Sequence, residues 1–137
     1  LAEDDDPGFE DITRRLGGKV QIIGDDYFTT NAARIEAAVP RRASNAVLLK
    51  INQCGTLSEL IAANKVCRDA GWNAVQSGRS GESEDVTLSH LAVGLRSDQI
   101  KVGSMARSER TAKWNEVLRI EETAANKAYW QFQIPRR

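Results

Sequence analysis

Short apolar runs recur along this chain at an almost constant interval, and each is separated from the next by an amphipathic stretch. The runs are Val20-Gln21-Ile22-Ile23, Ala46-Val47-Leu48-Leu49, Trp72-Asn73-Ala74-Val75 and, more weakly, Gln99-Ile100-Lys101-Val102. They begin at residues 20, 46, 72 and 99, so one unit repeats every 26 or 27 residues. Turn formers bound them: Gly17-Gly18 ahead of the first, Gly71 ahead of the third and Gly103 behind the fourth. Short continuous apolar runs with such flanks are the pattern of strands buried on both faces.

The stretches between them read as helices. Thr29, Thr30 and Asn31 can cap a helix over 32–39 that Pro40 helps to end. Thr56 and Glu59 form a capping box ahead of Leu60, Ile61, Ala63 and Val66, and Gly71 stops that helix. Residues 83–95 repeat the pattern, with Val86, Leu88, Leu91 and Leu95 able to line one side. A last helix is expected over about 107–123, carrying Trp114, Val117 and Leu118, and a leading helix over 9–16.

Four strand–helix units of this length imply an α/β fold with a parallel sheet and right-handed crossovers. Two architectures compete, a small doubly wound sheet and part of a (β/α)8 barrel. A full barrel takes about 250 residues, so 137 residues make close to half of one. Half a barrel alone would have two unpaired strand edges and an open apolar interior.

Composition narrows the functional classes. Charge is balanced, 19 Lys+Arg against 19 Asp+Glu, so no long-range field favours nucleic acid or an anionic membrane. No apolar run approaches the roughly 20 residues of a membrane span, and the acidic opening LAEDDDPGFED is unlike a secretory leader. Cys54 and Cys67 form no CxxC pair and stand among no histidines, so reduced thiols and a cytoplasmic location are expected. The chain opens on Leu1, and its single methionine is Met105, so an upstream segment is also expected.

Polar and charged residues follow each apolar run directly: Gly24-Asp25-Asp26, then Lys50-Ile51-Asn52-Gln53, then Ser77-Gly78-Arg79-Ser80-Gly81, with Lys101 at the end of the fourth. In parallel α/β folds the C-terminal strand ends share one face, where ligands bind. Asp25, Lys50, Arg79, Ser80 and Lys101 should therefore meet. Two lysines, an arginine and a loop of small residues suit an anionic, phosphorylated ligand. Asp25 offers a hard oxygen for Mg²⁺, and a desolvated lysine among other cations gives up its proton more readily and can serve as a base. Each residue also has a plain alternative. Asp25 or Asp26 could cap the following helix, Lys50 could snorkel from a strand end, and the Ser/Gly loop could be merely solvated. His90 falls in mid-helix and reads as structural, and the charge-rich stretch 107–122 reads as a solvated helix face.

These residues resemble enolase. The strings VQIIGDDYFTTN (20–31), LLKINQCG (48–55), SGRSGESED (77–85), QIKVGSMARSER (99–110) and LRIEE (118–122) are similar to that family's GDD-x-x-x-TN, LK-x-NQ-x-G, SHRSGETED, QIK-TG and R-x-EE, in order and without gaps. SMARSER looks more bacterial than animal. The resemblance implies the C-terminal half of an enolase-type (β/α)8 TIM barrel across residues 1–137, with the earlier barrel strands and an N-terminal capping domain upstream. It implies a lyase of glycolysis that interconverts 2-phosphoglycerate and phosphoenolpyruvate, is dependent on Mg²⁺ and forms oligomers of identical subunits. Position by position, Asp25 resembles a Mg²⁺ ligand and Lys50 the lysine that removes the C2 proton. Arg79 and Ser80 resemble the substrate-phosphate contacts, and Lys101 the lysine at the substrate carboxylate. Leu1 would fall just past a second metal-binding acidic residue, so this segment alone should have little or no activity.

Two positions depart from the family strings: Gly78 stands where they have His, and Val102 where they have Thr. The tail 128–137 departs as well. Gly78 leaves open a diverged relative acting on another phosphorylated or phosphonate acid, and half a barrel reused as a non-catalytic interaction protein is a third possibility.

Overall fold

The four apolar runs become four parallel strands whose order in the sheet repeats their order in the chain, β1-β2-β3-β4. The structure, a computed structural model, describes residues 1–124, so the tail 128–137 lies outside the described residues. The elements are α1 (Asp6–Leu16), β1 (Ile23–Gly24), α2 (Ala32–Ala38), β2 (Ala46–Lys50), α3 (Ile51–Cys54), α4 (Leu57–Asp69), β3 (Asn73–Ser77), α5 (Thr87–Gly94), β4 (Gln99–Lys101) and α6 (Ser108–Thr123).

Strand order separates the two expected architectures. A doubly wound sheet reverses direction partway, which puts helices on both faces. Here every crossover advances the same way, and right-handed crossovers then stack the connecting helices α2, α4 and α5 on one face. Val47, Leu49 and Ala74 turn towards that layer and pack with Ile35, Leu60, Ala63 and Cys67, all 0% exposed. The opposite face carries Ala46, Leu48, Val75 and Lys50 by alternation. An all-parallel sheet with helices on one side and strands in sequential order is an arc of a (β/α) barrel.

Curvature of the arc is visible in one contact. Gln21, just before β1, donates from Nε2 to Gln99 Oε1 at 2.6 Å, and its own Oε1 accepts from Asn73 Nδ2 at 2.8 Å. Flat strands three places apart are about 14 Å apart, too far for two glutamine side chains, so the sheet is strongly curled. The expected open apolar interior is therefore largely absent: Ala46, Leu48 and Val75 are 0, 2 and 3% exposed. Ile23 on the β1 edge remains 38% exposed.

Local chemistry explains where elements begin. Asp5 caps α1 by accepting from Gly8 N at 2.9 Å, with Pro7 in the first turn, so the helix starts at Asp6 and not at Phe9. The first strand is shorter and later than its apolar run. Val20 N turns back to Leu16 O, and Ile22 N is taken by the Asn45 side chain at 2.6 Å, so ladder pairing starts only at Ile23. Asn31, and not Thr29 or Thr30, caps α2 through Arg34 N. Thr56 caps α4 by accepting from Glu59 N, as the expected box requires, while the Glu59 carboxylate accepts from the Thr56 hydroxyl and not from its backbone N–H. The helix expected over 83–95 begins only at Thr87, because Ser83 and Asp85 hold the preceding turn with their side chains. Short α3 takes up the residues directly after Lys50, and Gly55 ends it at φ +103°, a left-handed cap that suits glycine.

A run of contacting rings ties the start of the chain to the core. Phe9 and Tyr27 stack at 4.0 Å, Tyr27 meets Phe28 at 4.7 Å, and Phe28 meets Trp72 at 5.9 Å. Gly24 lies under Phe28: a Cβ there would stand 2.1 Å from a ring carbon. The glycine of the GDD string is required by this close approach.

Candidate active site

Strand register sets the frame. Lys50 pairs with Ser77, and Ser77 with Lys101, so the three form a row across the C-terminal ends of β2, β3 and β4. With strands about 4.8 Å apart, the Cα atoms of the two lysines are roughly 10 Å apart. Asp25 follows β1 at the same rim, and Lys50 Nζ donates to Asp25 Oδ1 at 2.5 Å. The lysine side chain is 8% exposed and the Asp25 side chain 41%. Lys50 thus does not snorkel into solvent, and Asp25 caps no helix; both plain alternatives fail on geometry. Asp25 Oδ2 makes no hydrogen bond among the described residues.

Beside this pair lies a cavity of about 170 Å³ lined by Arg79, Ser80, Lys101, Glu82, Arg110 and Lys113, with Gly78 at its wall. The Arg79 guanidinium, the Ser80 hydroxyl and the Lys101 ammonium have no hydrogen-bond partner among the described residues, which leaves them available to an anion. The five sequence-derived residues therefore fall into two adjoining groups on one rim, Asp25–Lys50 and Arg79–Ser80–Lys101. Asn52 links them: it stands two residues after Lys50, and its Oδ1 accepts from Arg79 N at 3.1 Å. A larger depression of about 680 Å³, lined by Arg41, Ser44, Asn45 and Trp72, lies at the other end of the strands, away from this chemistry.

The fold over residues 1–124 and this rim agree with one family. Residues 1–135 match the family described as enolase, C-terminal TIM barrel domain. The chain belongs to that family. The match runs to residue 135 and so takes in most of the tail that the strings had set apart. As an enolase barrel domain, the segment presents the family's strand-end face with a buried lysine and a cationic cavity. Among the described residues no helix is long and apolar enough to cross a membrane.

Four residues that support this rim in the enolase domain were not assigned that role from sequence. Thr30 is 1% exposed; its Oγ1 accepts from Lys50 N at 3.0 Å and donates to Gln53 Oε1 at 2.9 Å. Asn52 donates from Nδ2 to Glu82 Oε1 at 2.5 Å. Lys113, on the helix read as a solvated charged face, is 1% exposed and corrects that reading. Its ammonium donates to Ser83 O at 2.6 Å and Glu109 O at 2.7 Å, and forms an ion pair with Glu82 Oε2 at 3.0 Å. Thr30, Asn52 and Glu82 lie inside the family-like strings, a signal that could have found them. Lys113 carries no such signal, being one lysine among many charges. His90 reaches Glu116 from α5 to α6 at 3.1 Å, well away from the rim.

Magnesium fits this donor set only in part. No three His, Cys, Asp or Glu residues stand together among the described residues. Asp25, with its partly exposed second oxygen, suits one position of a hard-cation site, which prefers oxygen donors and keeps several waters.

Proposed function

We propose that this chain is the C-terminal half of a Mg²⁺-dependent enolase that interconverts 2-phosphoglycerate and phosphoenolpyruvate, a lyase step of glycolysis in the cytoplasm. The observation that carries the proposal is the buried Lys50, ion-paired with Asp25 and in register with Lys101 beside the cationic cavity. In this reading Arg79 and Ser80 hold the phosphate, whose charge suits a planar guanidinium fork and a hydroxyl donor. Lys101 faces the carboxylate end of the substrate. Lys50 as general base takes the proton from C2; the electron pair left behind moves into the carboxylate and then returns to form the C2=C3 double bond as the C3 hydroxyl leaves as water, with a proton from a group outside this segment.

A proton next to a carboxylate is very weakly acidic, so the added negative charge must be met by fixed cations. Lys101 and the neighbouring arginines supply part of that field from this chain. Asp25 would hold Mg²⁺, whose role when bound is to neutralise the substrate carboxylate. Remaining ligands would come from water and from groups outside residues 1–137, and the complete protein is proposed to form oligomers of identical subunits.

The test is turnover of 2-phosphoglycerate by the full-length protein with Mg²⁺, followed by ultraviolet absorbance of phosphoenolpyruvate. Lys50→Ala should lower kcat by at least about a thousandfold, in keeping with loss of a general base together with its preorganised charge. Turnover unchanged in that variant would sink the assignment of Lys50. Gly78 favours a second reading, a diverged relative with another phosphorylated acid as substrate. Absent turnover of 2-phosphoglycerate combined with tight binding of inorganic phosphate would favour it.

A further inference from the structure

Among the described residues, Glu82 is the only carboxylate lining the cationic cavity, and it is held at both oxygens. Oε1 accepts from Asn52 Nδ2 at 2.5 Å, and Oε2 lies 3.0 Å from the buried Lys113 ammonium. Asn52 also accepts from Arg79 N, and Lys113 also donates to Ser83 O. Both ends of the 79–83 loop thus connect to Glu82 through one intermediary each. A loop of serine and glycine has little stiffness of its own, so these ties set where the Arg79 and Ser80 side chains stand.

The pose of Glu82 depends on Gly78. A Cβ at position 78 would stand 2.7 Å from Glu82 Oε1 and 2.8 Å from its Cδ, closer than real contacts allow. Backbone strain is not the reason for this glycine, since its φ lies outside the left-handed region. Any side chain at 78 and Glu82 in this place exclude each other. The departure from the family string at 78 therefore has a physical counterpart within the same loop.

We propose that Glu82 is the positioning residue of the anion-binding loop, and that Gly78 acts only through it by leaving room for its carboxylate. Lys113 neutralises that carboxylate, so Arg79, Lys101 and Arg110 keep their charge for the ligand. This deepens the phosphate-site reading above and rests on it. Because the colliding atoms are the far end of a flexible side chain, Gly78→Ala should swing Glu82 away without unfolding the loop.

The experiment is a double-mutant cycle in the full-length protein, with two readouts. One is the affinity for inorganic phosphate by calorimetry; the other is KM and kcat for 2-phosphoglycerate. Gly78→Ala and Glu82→Ala should each weaken phosphate binding and raise KM by roughly tenfold, the size of one charge-assisted hydrogen bond, with kcat much less affected; Tm should be little changed in Gly78→Ala and lowered in Glu82→Ala, which leaves the buried Lys113 ammonium without its carboxylate. The double variant should be no worse than Glu82→Ala alone. Glu82→Gln should fall between, since its amide can accept only through one oxygen. Multiplying factors in the double variant, or phosphate affinity unaffected by Gly78→Ala, would overturn the proposal. An intact phosphate cycle without turnover of 2-phosphoglycerate would instead reject the enolase reaction and leave the loop assignment standing.

Discussion

Thr30 Oγ1 accepts a hydrogen bond from the backbone N–H of Lys50 at 3.0 Å, fastening the loop after β1 to the last residue of β2. Thr29 and Thr30 both have positive φ, 49° and 56°, a conformation that β-branched residues adopt at a cost of about 1–3 kcal/mol each. The two strained residues bring the loop beneath the Asp25–Lys50 pair.

Thr30→Val should accordingly destabilise the domain by about 2–3 kcal/mol, because a buried N–H at Lys50 loses its acceptor. Thr30→Ser keeps the hydroxyl and should cost less than about 1 kcal/mol. Urea denaturation midpoints check both. Equal losses from the two variants would mean that the hydroxyl has no such role.

Gly24→Ala should cost about 2–3 kcal/mol, an overpacking penalty. The new Cβ would meet the Phe28 ring at 2.1 Å, and Phe28 is 1% exposed and wedged between Tyr27 and Trp72. A companion Phe28→Leu should recover part of the loss in the same denaturation assay.

Much of this architecture was readable before any coordinates. The 26-to-27-residue repeat fixed the number of strand–helix units, and the Thr56–Glu59 box marked the start of α4. What sequence did not carry was side-chain chemistry acting on distant backbone. Asn45 bonds Ile22 N, Gly17 O and Val20 O and so delays β1, yet nothing in its neighbourhood announces this. Lys113 is buried because three acceptors converge on it from 30 residues upstream and from its own helix, which charge patterning cannot show. Residue types at the strand ends were legible because topology alone brings those ends to one rim. Their division into an Asp25–Lys50 pair and a separate cavity was not.

Alkaline and acid titrations should both weaken the junction of α1 with the core. The Tyr27 hydroxyl donates to Asp6 Oδ1 at 2.6 Å, and burial, reinforced by that carboxylate, pushes its phenol up to about 12. Its neutral form is thus favoured in the folded state. The associated stability, on the order of 2 kcal/mol, is complete below pH 10 and lost as pH rises from 10 through about 12. Asp6 moves the other way: hydrogen bonds from Tyr27 and Arg41 hold its carboxyl below the usual range. Its contribution is present at neutral pH and disappears as pH falls below 4. Tyr27→Phe should flatten the alkaline limb of stability measured against pH.

The two thiols should differ sharply in reactivity. Burial, with a smaller effect of the nearby Asp98 carboxylate, pushes the Cys67 thiol up to about 12, and the residue is 0% exposed. Since the thiolate is the nucleophile, Cys67 should resist Ellman's reagent at pH 8 in the native protein, while half-buried Cys54 reacts. Denaturant should release the second thiol. Cys67 labelling as fast as Cys54 without denaturant would contradict this packing.

The sequential strand order bears on how the chain comes to be folded. Each strand pairs with the one made just before it, so no strand must wait for a distant later segment before finding a neighbour. Units can then dock one at a time as they emerge during synthesis, with the newest strand as a temporary template for the next. The Gln21–Gln99 bond, spanning 78 residues, forms only after the fourth strand arrives. It would make a late marker of assembly, separating a growing ribbon from a finished arc.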